Sequence, residues 1–308
     1  MRSMPDLGGL TAATVLPMTK RAEPDLDALK AYIRWMKGHR GLVGFAVNVD
    51  TGEGSHLTQK ERDDVLGVYS KHSAPVKIVA GVTARYTAEA KAMAESAESG
   101  GADALLIFPP PAFSGTPLPP EIVADYHKAI AGSVSIPLLA FQLYSQLGGV
   151  DYSPEVLRAL TSLRQVCGIK DASSDYGRFL SLLKTCRQSR PGFQVLTGND
   201  TFILESLVAG ADGALVGFGT IAVQQQIDMI RHVKREEYKS AQEVWKSMLP
   251  LVDAVFAPPA RDYRARLKEA LVQLGIIPLA TVRPPLMDLS QDAKSRISHA
   301  LKEAGLLP

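Results

Sequence analysis

The segment "RQVCGIKDASSD", residues 164–175, places a lysine at the end of a short apolar run. Val166 and Ile169 are typical of a buried strand, and Lys170 follows them directly, ahead of Asp171. A buried lysine is unfavourable as a cation, because leaving water costs the charged form free energy. The segment therefore raises two questions: which fold contains this strand, and what chemistry its lysine performs.

Seven further apolar runs in the chain are similar to this one, and they are continuous rather than alternating in polarity. Together the eight runs span residues 9–17, 41–48, 76–82, 102–110, 136–143, 165–172, 193–200 and 213–219. Continuous apolar runs are typical of parallel strands that are buried on both faces. The segments between them have helical periodicity, and the pattern repeats every ~30 residues, the size of a βα unit. Eight such units in series predict an α/β fold of the (β/α)8 TIM barrel type.

A doubly wound open sheet is the alternative architecture, but no G-x-G-x-x-G motif follows the first strand. After residue 221 the pattern becomes only helical. We therefore predict a barrel over residues 1–230 and a C-terminal helical region over residues 231–308. No linker rich in glycine, serine or proline separates the two, so the helical region is expected to pack beside the barrel.

The composition is that of an ordinary globular protein and disfavours several classes of partner. The 308 residues are 46% hydrophobic with a net charge of +2, and no apolar run is long enough to span a membrane, so we expect no nucleic-acid or membrane partner. Cys167 and Cys186 form no CxxC pair, which favours a reducing cytoplasm. The first 18 residues are interpreted as a first strand rather than a signal peptide. The six histidines show no ligand spacing such as H-x-x-x-H, so we expect neither a metal nor a cofactor.

Lys170 is the residue in the apolar runs that indicates chemistry most directly. In a (β/α)8 barrel the active site is built at the carboxyl ends of the strands, where Lys170 lies. Side chains alternate along a strand, so Lys170 shares a face with Gly168, and both would point into the barrel. Partial burial lowers the pKa of a lysine and favours the neutral amine, which condenses with ketones to form an iminium ion. The alternatives are a lysine that reaches solvent or pairs with Asp171 or Asp200.

Four short motifs carry a resemblance to a known family: "TGE" at 51–53, "GIK" at 168–170, "TGND" at 197–200 and "KEAGLL" near the end. In their order and spacing the chain resembles, over nearly its whole length, the dihydrodipicolinate synthase and N-acetylneuraminate lyase superfamily of class I aldolases. The resemblance implies a (β/α)8 barrel and a Schiff base between Lys170 and pyruvate or another 2-oxo acid. It also implies a carboxylate cradle made by the Thr51–Gly52 backbone and the Thr51 hydroxyl, because such groups donate to anionic oxygen.

Several positions depart from the family pattern. Phe141 stands where the family has a tyrosine that relays protons, and Gln146 stands where the synthase branch has an arginine for a second carboxylate. Asp50 replaces a threonine or serine, and Pro110 and Pro111 replace a tyrosine pair. These departures argue against a lysine-pathway synthase and against a sialic acid lyase.

Without the strand-5 tyrosine, another group must carry the substrate's protons. Asp50 is preferred, because it replaces a member of the family's relay and a partly buried carboxyl group can have a raised pKa. Tyr144, three residues beyond Phe141, is the alternative proton carrier. Asp50 could instead form a turn or bind a polar group of the substrate. Asn199 and Asp200 could contact the distal end of the substrate or cap the following helix, and capping is the expectation for Asp200.

The expected function is that of a class I lyase, synthase or dehydratase acting on a 2-oxo acid with a less polar distal group. The alternative is a catalytically impaired barrel that binds a 2-oxo acid as a sensor or regulatory protein, as the loss of the tyrosine would allow. The resemblance also implies a homodimer or homotetramer. The predicted catalytic residues are Lys170, Thr51 and Asp50. The predicted substrate-binding residues are Gly52, Phe141, Gln146, Gly198 and Asn199.

Overall fold

The computed structural model describes residues 5–308, apart from the side chain of Gln146. Eight parallel strands form a closed barrel in chain order, with the last strand returning to pair with the first. The strands are β1 (Leu10–Ala13), β2 (Leu42–Val47), β3 (Lys77–Val82), β4 (Ala104–Ile107), β5 (Leu138–Leu143), β6 (Val166–Ala172), β7 (Gln194–Thr197) and β8 (Gly213–Val216). Each predicted apolar run contains one strand, and the prediction of a (β/α)8 TIM barrel is confirmed.

A helix follows each strand and covers the outside of the barrel. These helices are α1 (Leu26–Lys37), α2 (Gln59–His72), α3 (Thr87–Ser99), α4 (Pro120–Ala131), α5 (Pro154–Ser162), α6 (Tyr176–Ser189), α7 (Ile203–Val208) and α8 (Val223–Lys234). N-cap side chains mark where several of these helices begin. At the start of α1, Asp25 accepts from the Ala28 N–H at 2.9 Å. At the start of α5, Ser153 is the cap and Pro154 is the first helical residue. Of the helices in the described part of the chain, none is long and apolar enough to cross a membrane.

Two layers of apolar side chains hold the barrel together. One fills the interior, where side chains from different strands meet, among them Leu106, Leu139, Phe141, Leu196 and Leu215. The other layer lies between the strands and the surrounding helices. Because both faces of the strands are covered, the strands are mostly apolar, and their charged side chains lie at or near the strand ends.

Three more helices follow the barrel: α9 (Tyr238–Phe256), α10 (Tyr263–Gln273) and α11 (Gln291–Glu303). The first packs against α8, and α10 packs against α9 and α11. The boundary predicted at residue 230 lies inside α8, which ends at Lys234.

A buried ion pair joins α10 to the loop after β2. The side chains of Lys268 and Glu53 are both 0% exposed and lie in direct contact. The Lys268 ammonium also donates to the Thr281 carbonyl at 2.7 Å, and the second Glu53 oxygen accepts from the Arg283 N–H at 2.7 Å. Since each charge is hydrogen-bonded on both sides, the pair fixes α10 against the carboxyl end of the barrel.

Candidate active site

Lys170 lies inside the barrel at the carboxyl end of β6, with only 8% of its surface exposed. Its Nζ atom is 4.6 Å from the centre of the Phe141 ring, which comes from the neighbouring strand β5. Gly198, directly after β7, leaves room for the lysine, because a Cβ atom there would lie 2.2 Å from Lys170 Cε. The lysine therefore points inward, and its path depends on glycine at position 198.

Burial sets the charge state of this amine. Burial lowers the pKa of Lys170 from 10.5 to about 8, against the opposing effect of the charges on Asp200, Asp50 and Asp171. Among the described residues, no carboxylate forms an ion pair with its Nζ atom. Asp171 is occupied elsewhere: its carboxylate accepts from Gln142 Nε2 and Asn199 Nδ2, both at 2.8 Å. The amine is therefore partly neutral near pH 7 and free to react.

A cavity of about 120 Å³ opens beside the lysine. Its walls include an apolar side formed by Phe141, Leu143 and Leu147, and polar groups on Asp50, Thr51, Tyr144, Asp200 and Tyr263. A neighbouring cavity of about 510 Å³ shares Asp50, Leu143 and Leu147 with it, so the two adjoin. A small substrate next to Lys170 could thus extend a distal group into the larger space.

The predicted carboxylate cradle lies in a short 3-10 helix, Asp50–Gly52, that follows β2. Thr51 is buried and lines the small cavity. Gly52 does not line the cavity: its N–H donates to the Val49 carbonyl at 3.1 Å, and a Cβ atom there would meet the Thr14 carbonyl at 2.9 Å. Of the two residues predicted to form the cradle, Thr51 is therefore the one that lines the lysine pocket.

The start of α10 contributes a hydrogen-bonded cluster to the cavity. The Tyr263 hydroxyl donates to Asp50 Oδ2 at 2.7 Å and lies 3.3 Å from Thr51 Oγ1. The Arg264 guanidinium contacts Asp50 Oδ1, and its Nε donates to the Asp50 backbone carbonyl at 2.8 Å. Burial, followed by the Asp50 charge, raises the pKa of Tyr263 well above its usual value, so its hydroxyl remains protonated. Thr51, Tyr263 and Asp50 thus form a continuous chain of oxygen atoms that ends at a carboxylate.

Sequence reasoning did not identify Tyr263 or Arg264. The hydroxyl of Tyr263 lies 213 residues from its partner Asp50 along the chain. The stretch "ARDYRARLKEAL" showed only a helix, and nothing in its spacing indicated that its first turn would reach the barrel mouth. A tyrosine and an arginine at the start of a helix in the C-terminal region were the available signal.

Asp200 lies in the cavity rather than at a helix end. The expectation that it caps the following helix was wrong: α7 begins after Phe202, and no side chain caps it. Asp200 Oδ1 instead accepts from the Phe218 N–H at 2.7 Å, in the turn after β8. Burial raises the pKa of Asp200 to about 6, so its carboxyl group changes charge close to neutral pH.

Of the remaining predicted residues, some line the cavity and others hold neighbouring groups in place. Tyr144 lines the cavity, and burial raises its pKa to about 12. Asn199 does not line it: its amide nitrogen bonds Asp171, and its Oδ1 accepts from the Ser174 N–H at 2.8 Å. The side chain of Gln146 lies outside what the structure describes. Within the described residues, no group of three or more His, Cys, Asp or Glu side chains is arranged to hold a metal ion.

Known proteins share this architecture. A sequence profile of the dihydrodipicolinate synthetase family matches residues 6–304. A 4-hydroxy-tetrahydrodipicolinate synthase from Syntrophus aciditrophicus is 28% identical over 97% of this chain and 99% of its own. A chloride-inhibited dihydrodipicolinate synthase from Acinetobacter baumannii, solved in complex with pyruvate, is 26% identical and superposes with a TM-score of 0.86 over 98% of this chain and 100% of its own.

The fold is also that of a monomeric dihydrodipicolinate synthase variant, with a TM-score of 0.89 over 99% of both chains at 24% identity. The profile match covers the strand that carries Lys170, the loop that carries Thr51 and the helices that close the barrel mouth. The chain belongs to the dihydrodipicolinate synthetase family.

Proposed function

We propose that this protein is a class I lyase or synthase that forms a Schiff base between Lys170 and a 2-oxo acid. The observation that carries the proposal is an amine that points into a cavity, has a pKa of about 8 and forms no ion pair among the described residues. A neutral amine is the form that attacks a ketone, and a protonated one cannot. A related synthase from Acinetobacter baumannii was solved with pyruvate, which supports a 2-oxo acid as the substrate class.

The reaction begins when neutral Nζ attacks the ketone carbon. One proton leaves the nitrogen and one joins the oxygen, which gives a carbinolamine. A further proton on that oxygen releases water and leaves the iminium ion. The positive nitrogen then withdraws electrons from the next carbon, so a proton can leave it or a carbon–carbon bond to it can form or break. Thr51 lines the same cavity and so stands beside a substrate bound to Lys170.

We infer that the activity differs from that of an authentic dihydrodipicolinate synthase, although curated relatives at 28% identity are named 4-hydroxy-tetrahydrodipicolinate synthase. Phe141 presents a ring without a hydroxyl to the Lys170 amine. The wall of the small cavity continues with Leu143 and Leu147, which suits an apolar group on the substrate close to the amine. Homodimer or homotetramer formation and a cytoplasmic location remain part of the proposal, and light scattering of the purified chain tests the first.

Trapping with borohydride tests the Schiff base. The protein is incubated with pyruvate and sodium borohydride, and its intact mass is measured. We expect a gain of one pyruvate, less one water, plus two hydrogens, in the native chain and in a Lys184→Met control, since Lys184 is exposed on α6. The gain should disappear in Lys170→Met. A native chain without an adduct would contradict the proposal.

A panel of 2-oxo acids and aldehydes then separates enzyme from binder. An adduct accompanied by turnover supports the lyase or synthase. An adduct with no turnover on any member of the panel supports a sensor or regulatory protein. The phenylalanine at position 141, which has no hydroxyl to transfer protons, would favour this role.

A further inference from the structure

We propose that Tyr263 is the proton-transfer residue of this site, and that it connects the Thr51 hydroxyl in the cavity to the Asp50 carboxylate. The proposal rests on the Schiff-base function above and names the group that replaces the missing tyrosine of strand β5. Tyr263 comes from a different part of the chain, the first turn of α10 in the C-terminal region.

The hydrogen-bond geometry supports a path for protons. The Tyr263 hydroxyl has a single proton, which it donates to Asp50 Oδ2 at 2.7 Å. Its oxygen can then accept from Thr51 Oγ1, 3.3 Å away. The bonds run in one direction, from the cavity through Thr51 and Tyr263 to Asp50. A proton released by the substrate can reach the carboxylate when each hydroxyl gives up one proton as it receives another.

Proton balance is maintained in both directions. When the iminium loses a proton from the carbon next to it, Thr51 takes that proton and passes its own to Tyr263, which passes its own to Asp50. The substrate becomes the neutral enamine, and Asp50 becomes a neutral carboxyl group. The reverse sequence returns a proton to the carbon. Neither hydroxyl becomes a free anion, which suits the buried surroundings of Tyr263.

Neighbouring groups fix the Tyr263 hydroxyl in this position. The Tyr263 ring stacks on Phe256, with centroids 5.8 Å apart and an interplanar angle of 23°. The Arg264 guanidinium lies 5.0 Å from the same ring and also contacts the Asp50 carboxylate. Asp50 keeps 22% of its side chain exposed, so solvent can reach it. Arg264 is therefore a positioning residue, and Tyr263 and Thr51 are the groups that face the substrate.

Tyr144 is the competing hydroxyl in the same cavity, and the structure favours Tyr263 over it. Tyr144 lines the cavity near Asp50 and Asp200. No hydrogen bond joins its hydroxyl to either carboxylate among the described residues. Without such a bond, Tyr144 has no carboxylate partner among the described residues to receive the proton that it would accept.

Exchange of the pyruvate methyl protons with D2O measures this step directly. The exchange is followed by NMR with the full-length protein, and it needs only the Schiff base and a working proton path. We expect Tyr263→Phe, which keeps the ring, to slow exchange by about 100-fold or more, the usual contribution of a positioned acid–base group. Borohydride trapping at equilibrium should remain at the native level. Asp50→Asn should slow exchange similarly, because an amide cannot take up the proton.

Two further tyrosine variants complete the test. Tyr176 is exposed at the start of α6, so the Tyr176→Phe variant should catalyse exchange at the native rate. Exchange by Tyr263→Phe within about twofold of native, or a large loss confined to Tyr144→Phe, would overturn the proposal, as would a folded Tyr263→Phe chain that no longer forms the adduct. If the native chain itself forms no adduct, the Schiff-base function fails first, so the two failures can be distinguished.

Discussion

The pKa of Lys170 is the quantity on which the proposed chemistry depends most, and it can be measured for this one side chain. At pH 7, a pKa of about 8 leaves about a tenth of the amine neutral, whereas a pKa of 10.5 leaves about one part in 3,000. The ratio is about 300-fold in the reactive form. Because the neutral form increases with pH, the reactivity of Lys170 should rise about tenfold per unit below pH 8 and become constant above it.

Competitive labelling measures this profile. The native protein is labelled with a trace of acetic anhydride at pH 6 to 11, then unfolded and fully acetylated with the deuterated reagent. The light-to-heavy ratio of the peptide containing Lys170, relative to that of exposed Lys184, gives its reactivity at each pH. An inflection near pH 8 is expected. A Lys170 profile that keeps rising to pH 10 would show that the amine is not desolvated, and the reasoning about its charge would be refuted.

Two other variants test the support of the site. In Gly198→Ala the new Cβ would lie 2.2 Å from Lys170 Cε, so the lysine must move, and we expect the rate of adduct formation to fall by about 100-fold, as measured by timed borohydride trapping. In Lys268→Met the buried charge of Glu53 loses its partner, and we expect urea unfolding to show a loss of about 3–5 kcal/mol. Lys60→Met, which removes an exposed ion pair, should cost less than about 1 kcal/mol, and an equal loss in both variants would contradict the argument.

The barrel could be predicted because strands that are buried on both faces leave continuous apolar runs in the sequence. The runs were longer than the strands: the first run covers residues 9–17, while β1 is Leu10–Ala13. Val15 and Leu16, beyond the strand, are buried in the loop that follows it. Hydrophobicity reports burial, and it does not report where the hydrogen-bonded ladder ends.

The candidate site could be predicted only in the part that the barrel itself supplies. Lys170 lies near the end of β6 and Thr51 follows β2, and strand ends meet at one edge of a barrel. Tyr263 could not be found in this way, because every residue of α10 from Tyr263 to Leu271 is buried. A helix that is buried on all sides has no apolar stripe to show which side faces its neighbour.

In the proposed mechanism, Phe141 on β5 and Tyr263 on α10 have a common physical explanation. A class I site needs apolar side chains beside its lysine, which keep the amine neutral. It also needs a chain of hydrogen-bonded polar groups that carries protons to solvent. A tyrosine on β5 would serve both purposes beside the amine. Here Phe141 gives Lys170 an apolar wall, with Nζ 4.6 Å from the ring centre, while α10 places Tyr263 against Asp50 on the side that is partly open to water. On the proposed path, this separation would keep the Lys170 amine desolvated while protons leave through Tyr263 and Asp50, provided that the C-terminal region stays docked on the barrel.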